Sequence, residues 1–501
     1  GRIDSICQEN PVGFGNTSWG VPYATLSSTR ITPAIDSNIS RFLNFTMTAQ
    51  VNCVGVGECG DVRASGLHSA AQEFGNGDDG SATISTASAI LNNYTALTDN
   101  ETAGSTTISV SVTTGFSSGD EVLIMQMTNG SGGLAGSYEY KFIDSVGSGE
   151  ITFTSGLENT YTTVAGFSAA QAIRVPQYTS LTITGAGSVI APAWDGSTGG
   201  VVALKANADM VIAGSVSADG VGFRGGTGGT TAGGGDNGES FDGFQGSGGA
   251  PSTTGTRGGG SGQNDGGTST GTRGGGGGGG SEANAGGTEG GGGGGGGGHA
   301  GGGGGGGGGG DGSDNSGNGG AGGSSGTAAG GGGAAAGNSI GGDGGAAGSV
   351  GGTSGAIAGG AAGSGAITGG GGPSDAGDSD SSGGGGGGGG IYGTADFAAL
   401  ILPGSGGGGG GGSDEASTQG ASGSPGGGIV MLGSPDLTIS GSVSANGDDA
   451  TDPGPAATPG GGGGAGAGGS VLLQAQNLTI GTSLVTATGG AASTRQGAQA
   501  G

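Results

Sequence analysis

The sequence predicts an all-β chain plus polyglycine-II: a small β-barrel or sandwich, then a parallel β-solenoid interrupted by a glycine-rich bundle of extended helices. Three observations predict it. Glycine supplies 146 of 501 residues, and nearly all of its long runs lie between 224 and 428. A motif of about 22 residues recurs on both sides of that stretch. Between about 105 and 180 lies a group of strand-length, β-rich segments with enough apolar content for an ordinary core.

Residues 1–104 form a Ser/Thr/Asn-rich β segment, a candidate assembly region, in which stretches such as Arg41 to Thr48 alternate as strands do. Asn-x-Ser/Thr sequons fall at Asn16, Asn38, Asn44, Asn93, Asn100 and Asn129, with another at Asn477. Their clustering marks them as candidate N-glycosylation sites on an extracellular surface. All three cysteines, Cys7, Cys53 and Cys59, lie in the first sixty residues. In an exported chain, Cys53 and Cys59 are candidates for a disulfide, and the odd thiol is left free or pairs between chains. A metal site is disfavoured, because only His68 is near and no second Cys-x-x-Cys pair accompanies them.

Residues 105–180 read as a small β domain. Thr106 to Thr113, Glu121 to Met127, Tyr138 to Val146, Ile151 to Phe153 and Ala172 to Val175 are separated by Gly/Ser/Asp turns. Asp120, Glu121 and Glu139 read there as turn and edge residues.

Residues 181–223 and 429–501 carry the repeat. Gly199 to Leu204 leads into Met210 to Gly220; Gly427 to Leu432 leads into Leu437 to Gly447; Gly468 to Leu473 leads into Leu478 to Gly481 and a degenerate Val485 to Gly489. Leu181 to Gly185 is a partial earlier copy. Short alternating strands broken by Gly or Asn/Asp make one coil of a parallel β-solenoid, whose inward Val, Ile and Leu stack on neighbouring coils. No coil buries its apolar face alone, so stacking must supply most of the stability.

The insertion between coils, 224–428, holds only eleven Leu, Ile, Val or Phe, too few for a side-chain core. Its glycine runs are interrupted by polar, turn-like clusters such as Ser281 to Asn284, Asp311 to Asn315 and Pro373 to Asp375. That is the layout of rods joined by turns. Polyglycine forms an extended three-fold helix whose outward N–H and C=O groups bond to neighbouring rods. Phe241, Phe244, Tyr392 and Phe397 lie near the ends of the stretch, as wedges anchoring it to the solenoid.

The solenoid copies with a glycine insertion, including Gly-Phe-Arg-Gly-Gly at 222–226 and Gly-His-Ala-Gly-Gly at 298–302, resemble the large glycine-rich secreted surface proteins of bacteria, often called adhesin-like. The resemblance covers roughly 120–500. The rod-and-turn layout is also similar to the polyglycine-II domains of phage tail-fibre adhesins and to the glycine-rich antifreeze protein of snow fleas. No functional residue carries over from either.

With 11 Lys and Arg against 38 Asp and Glu, the net charge is −27, which disfavours nucleic acid as a partner. No run of 18 apolar residues exists, so no membrane span is expected. Gly-x-Gly-x-x-Gly matches abound but lack a strand before and a helix after, and no phosphate-loop lysine follows. Asp311 to Asn315 reads as a solvated turn rather than a calcium site. With two histidines, His68 and His299, a Ser-His-Asp arrangement has little to build on. The acidic pairs Asp448-Asp449 and Asp78-Asp79 sit in turn-like sequence, so no enzymatic activity and no cofactor are expected. No regular threonine ladder is evident for ice binding.

The expected function is that of an extracellular or cell-surface structural protein, a glycosylated subunit of a self-assembling fibre whose partners are copies of itself. The alternative is an adhesin that binds a glycan or surface receptor through polar turns of the bundle, such as Asp311 to Asn318 and Ser374 to Ser382.

Overall fold

The computed structural model describes residues 74–129, 135–165, 168–229, 235–241, 397, 400–410, 419–451 and 462–491, all within the compact unit Phe74–Gly501. Among them are seventeen strands, numbered β1 to β17 in chain order, and the architecture is all-β.

Five stacked rungs make the solenoid. On one wall, β1 (Ser81–Ile84), β9 (Ser180–Ile183), β12 (Asp209–Ile212) and the second halves of β14 (Ile429–Ile439) and β16 (Ser470–Ile480) pair in parallel and in register. Beside it, β8 (Gln177–Tyr178), β11 (Val201–Ala206) and the first halves of β14 and β16 continue the same sheet. The opposing wall stacks β10 (Ser188–Ile190), β13 (Ser215–Ser217), β15 (Ser442–Ser444) and β17 (Val485–Thr486).

The sequence writes this directly. Each rung of the first wall alternates outward and inward, as a period of two requires, in the form x-Leu-Thr-Ile or a close variant. Leu181, Ile183, Met210, Ile212, Leu437 and Ile439 point inward and are buried with Val189, Val216 and Val443 from the opposite wall. Each such aliphatic side chain contributes about 1.5–3 kcal/mol on burial. The corner between the walls is a column of glycines: a Cβ on Gly441 would stand 1.8 Å from the Gly214 carbonyl oxygen, so no larger residue fits between rungs there. The outward residues of the same wall, Thr83, Thr182, Val211, Thr438 and Thr479, form one column. That corrects the expectation of no threonine ladder, because the rungs supplying it are far apart in sequence.

The second domain is antiparallel. β2 (Asn93–Ala96), β7 (Ser168–Val175), β4 (Glu121–Asn129), β5 (Tyr138–Val146), β6 (Glu150–Phe153) and β3 (Thr107–Ser109) follow in that order. A bridge between Leu97 and Val110 joins the two edges and closes a small barrel. Ile108, Val122, Ile124, Ile143, Ile151, Phe153 and Tyr161 fill its interior. All nine residues of β4 are buried: Val122 and Ile124 face the barrel core, while Leu123, Met125 and Met127 pack on Val201, Ala203, Ile429 and Met431 of the solenoid flank. β1 lies before this barrel yet belongs to the solenoid. The barrel is therefore an insertion between the first two rungs rather than a domain preceding them.

Glu121 and Glu139, expected at turns or edges, are instead buried, Glu121 against the solenoid and Glu139 within the barrel. Lys205 Nζ lies 2.9 Å from Glu121 Oε1 and 4.0 Å from the Tyr140 ring centroid, and Gln177 donates to Glu121 Oε2 at 2.8 Å. Glu139 accepts from the Glu158 and Asn159 amides and from Tyr161, and it pairs with Lys141 at 2.9 Å. Burial raises the Glu121 pKa, against the pull of Lys205 and Gln177.

The described parts of the glycine-rich insertions lie beside the barrel as extended segments outside any strand. Segments 222–229, 404–410 and 420–428 share a cycle of backbone hydrogen bonds. The Phe223 amide donates to the Gly404 carbonyl (3.0 Å), Gly404 to Gly427 (2.7 Å), and Gly426 back to Phe223 (2.9 Å). Three residues on, Gly226 donates to Gly407, Gly407 to Ser424 and Gly423 to Gly226; three further on, Gly229, Gly410 and Gly420 take their places. Segment 404–410 thus runs parallel to 222–229 and antiparallel to 420–428. Segments 236–239 and 464–467 join its remaining sides through Gly406, Gly409, Gly464 and Ala467. None of these glycines has a positive φ; the absent Cβ is used for close approach.

Candidate functional site

Every insertion leaves the solenoid at the same corner, after the opposing-wall strand of its rung. Residues 91–176 follow the first rung, 192–200 the second, 219–428 the third and 446–469 the fourth. The products of the first three meet around a cleft of about 280 Å³. Thr98, Thr128, Thr163 and Ser168 come from the barrel, Gly196 and Ser197 from the short second insertion, and Arg224 and Glu239 from the glycine-rich one.

The charged floor is built tightly. Arg224 donates from Nε to Glu239 Oε2 at 2.8 Å, from Nη2 to Oε1 at 3.1 Å, and from Nη1 to the Asp195 carbonyl at 2.9 Å. Trp194 Nε1 donates to Glu239 Oε1 at 3.2 Å. Gly196, at φ +99°, lies under the guanidinium, and a Cβ there would come within 2.7 Å of Arg224 Nη2. Asp195 caps its own turn through Ser197 and Thr198; burial opposes ionisation, but these hydrogen bonds hold its pKa below the usual carboxylate value. Hydrogen bonding to Glu239 keeps Arg224 firmly charged against the cost of burial. The result is a fixed Arg224–Glu239 ion pair in the wall of an opening lined by hydroxyls, with exposed Val164 beside it. Such a lining offers many donors and acceptors to a polyhydroxylated ligand.

A second group lies at the turns between the third and fourth rungs. Asp219 accepts from Ser444 Oγ at 2.7 Å and from the Asn446 amide at 2.6 Å, and Asn446 Oδ1 in turn accepts the Thr488 amide at 2.9 Å. The Asp448 carboxylate lies against Gly220, and its pKa is raised by burial and by the neighbouring charges of Asp219 and Asp449. Adjacency in sequence shows only Asp448 and Asp449; Asp219 joins them through coil stacking.

The candidate glycosylation sites separate. Asn100 and Asn477 are exposed, the latter donating to Asp436 Oδ1 at 2.6 Å. Asn93 is half-buried against Gly115. Asn129 is 5 % exposed and donates to Thr162 Oγ1 at 3.1 Å. Asn16, Asn38, Asn44, Cys7, Cys53 and Cys59 lie outside the described residues, as do His68, His299 and the turns Asp311 to Asn318 and Ser374 to Ser382. Of the aromatic wedges, Phe241 packs on Leu402 and Ala135, and the Phe397 carbonyl accepts from Tyr138 Oη at 2.8 Å; Phe244 and Tyr392 lie outside the described residues. Among the described residues no group of three His, Cys, Asp or Glu is placed to hold a metal ion, and no helix is long and apolar enough to cross a membrane.

No protein-family model matches the chain, and no curated protein matches it. Among solved structures it is similar to the gp54 tailspike of Acinetobacter baumannii bacteriophage AP22 in complex with A. baumannii capsular saccharide, at 13% identity and a TM-score of 0.16, over 27% of this chain and 21% of that one. It is also similar to the Pseudomonas phage phi297 tailspike gp61 (16% identity, TM-score 0.15, 28% and 24%). A third match is the tailspike gp49 from Pseudomonas phage LKA1 (18% identity, TM-score 0.15, 27% and 26%). The match takes in about a quarter or less of each tailspike's length. At these scores the likenesses carry no argument for a function. The expectation of a chain without enzymatic activity is corrected on the structure itself: it rested in part on Asp448 and Asp449 as an isolated turn pair, and Asp448 belongs instead to a three-carboxylate group with Asp219.

Proposed function

We propose that the chain is an extracellular, adhesin-like surface protein that binds a glycan in the cleft above Arg224, with the solenoid serving as its rigid stalk. The observation that carries this reading is the common exit corner of the insertions. In stacked-repeat proteins, insertions gathered on one face make the binding face, and here three of them supply the cleft lining. The hydroxyls of Thr98, Thr163 and Ser197 beside a fixed guanidinium suit a saccharide better than an apolar ligand. The glycine-rich layer is read as polyglycine-II rods, on the strength of its three-residue hydrogen-bond cycle. Among the described sequons, Asn100 and Asn477 are the exposed ones and leave room for a glycan.

The test is a glycan panel screened against the full chain, followed by Ser197→Trp, which fills the cleft from an exposed turn. The expected result is binding that falls at least about tenfold, or 1.4 kcal/mol, with the melting temperature unchanged. Binding to no glycan, or binding that survives Ser197→Trp, overturns the assignment. The fibre-subunit reading is favoured separately by the outer edge of β16, which has no strand partner among the described residues.

A further inference from the structure

Three polar side chains are buried together where the barrel packs on the solenoid. Lys205 and Gln177 are each 3% exposed, and Glu121 is 2% exposed. Lys205 on β11 and Gln177 on β8 are register partners in adjacent parallel strands, so their side chains leave the same face of the sheet about 4.8 Å apart. That face is the outer one. Val201 and Ala203, on the same side of β11, pack on the barrel, while Val202 and Leu204 point into the solenoid. Glu121, the first residue of β4, comes down on both side chains. One carboxylate oxygen accepts from Lys205 Nζ at 2.9 Å and the other from Gln177 Nε2 at 2.8 Å.

A backbone amide completes the group. The Asn76 N–H donates to Gln177 Oε1 at 2.6 Å, so the carboxamide has its nitrogen on a proton acceptor and its oxygen on a donor. The Tyr140 ring lies against the amine, with its centroid 4.0 Å from Lys205 Nζ. An amine, a carboxamide polarised at both ends and a proton carrier touching both nitrogens are what an amide exchange requires. Holding them together in a dry site replaces a collision by a first-order step and excludes water as the competing nucleophile. The other buried lysine among the described residues, Lys141, is placed differently. It lies between Glu139 and Glu158, and the neighbouring Asn159 carboxamide donates to the Tyr138 carbonyl instead.

We infer that Lys205 and Gln177 become joined by a side-chain amide bond, with Glu121 as the proton carrier. Glu121 takes a proton from the Lys205 ammonium, and the freed lone pair attacks Gln177 Cδ. Negative charge develops on Oε1, where the Asn76 amide already points. Glu121 passes its proton to Nε2 and recovers one from the attacking nitrogen, and the Cδ–Nε2 bond breaks to release ammonia. An ammonium, a carboxylate and a carboxamide thus become a secondary amide, a carboxylic acid and ammonia, with hydrogens and charge balanced. The product leaves no ion in the interior, which removes the desolvation cost of the buried pair. Burial, which raises the Glu121 pKa, favours the acid that remains. The bond ties the second rung to the third and closes a loop that contains the 192–200 insertion. It forms after folding, so newly folded chain still holds the Lys205–Glu121 ion pair, and it is independent of the glycan cleft.

The test is mass spectrometry of the full chain, intact and after denaturation and trypsin. The chain should be lighter by one ammonia, and residues 175–224 should stay in one peptide, because trypsin does not cut after an acylated Lys205. Glu121→Gln keeps the shape of the side chain but cannot carry the proton, and it should restore both the full mass and cleavage after Lys205. Gln177→Met should do the same while keeping the Lys205–Glu121 pair, which covers the case that Glu121→Gln does not fold. Wild-type chain of full mass that is cut after Lys205 overturns the inference. Ammonia lost from another peptide overturns it too, as does loss of water in place of ammonia, which puts the bond on Glu121 itself.

Discussion

Replacing Gly407 by alanine tests whether backbone contact holds the glycine layer together. A Cβ at Gly407 would stand 2.1 Å from the Gly464 carbonyl oxygen and 2.3 Å from its carbon. An ordinary carbon–oxygen approach is about 3.3 Å, so segments 404–410 and 462–469 must separate by roughly 1 Å. That movement breaks the bonds from Gly464 to Gly408 and from Ala467 to Ser405, both 2.8 Å long. A buried donor left unpaired costs about 1–3 kcal/mol, giving about 2–6 kcal/mol for the two. Reduced freedom of the unfolded chain returns about 0.4–1 kcal/mol. Gly407→Ala should therefore lose about 1–5 kcal/mol, with faster exchange of the Gly464 and Ala467 amides. Gly185→Ala is the control: its nearest neighbour would be the Ala213 oxygen at 4.0 Å, and its φ is not positive. Thermal unfolding and hydrogen exchange are the assays. If Gly407→Ala melts with Gly185→Ala and both amides stay protected, close approach is not what stabilises the layer.

Three further outcomes are expected. Lys205→Met strands the buried Glu121 carboxylate and should cost about 3–5 kcal/mol near neutral pH; burial already raises that pKa, so the deficit should shrink in acid, and adding Glu121→Gln should recover most of it. Chemical denaturation at two pH values checks this, and a pH-independent deficit would count against it. Asp448→Asn should stabilise the fold near neutral pH, where the charged form is disfavoured by burial and by Asp219 and Asp449. A raised folded-state pKa imposes its penalty above that pKa and loses it as pH falls toward the unfolded value of about 3.9, so melting curves of the two proteins should converge in acid. Leu437→Ala should cost about 2–5 kcal/mol, whereas Leu478→Ala, equivalent but on the exposed end rung, should cost far less in the monomer.

The solenoid was the most legible part of the chain, because the alternation within each x-Leu-Thr-Ile copy reports inward and outward positions without help from distant residues. The first rung escaped notice for a physical reason. Ala82 replaces the large aliphatic residue, and its Ser/Thr neighbours resemble those of the segment around it. Glu121 was misread because its burial and its partners Lys205 and Gln177 come from packing barrel against solenoid, and Glu139 because closing the barrel brings Tyr161 and the Glu158 and Asn159 amides onto it; the local residues carry no sign of either. Asp219 meets Asp448 only because rungs more than two hundred residues apart in sequence are neighbours in space. The cleft is harder still. Its lining comes from three insertions, and no local spacing links Thr98, Ser197 and Arg224 before the rungs are stacked.

The third and fourth rungs pair directly, Val201 with Ile429, across everything inserted between them. Chain closure depends on loop length only logarithmically, so doubling such a loop costs about 0.6 kcal/mol. That is less than the burial of one methylene group, about 0.8 kcal/mol. The solenoid is therefore almost indifferent to how much glycine-rich chain is inserted there, and that length can change without redesigning what holds it. The cost falls on time, since β11 must wait for β14 to be made, and pairings so remote in sequence form slowly.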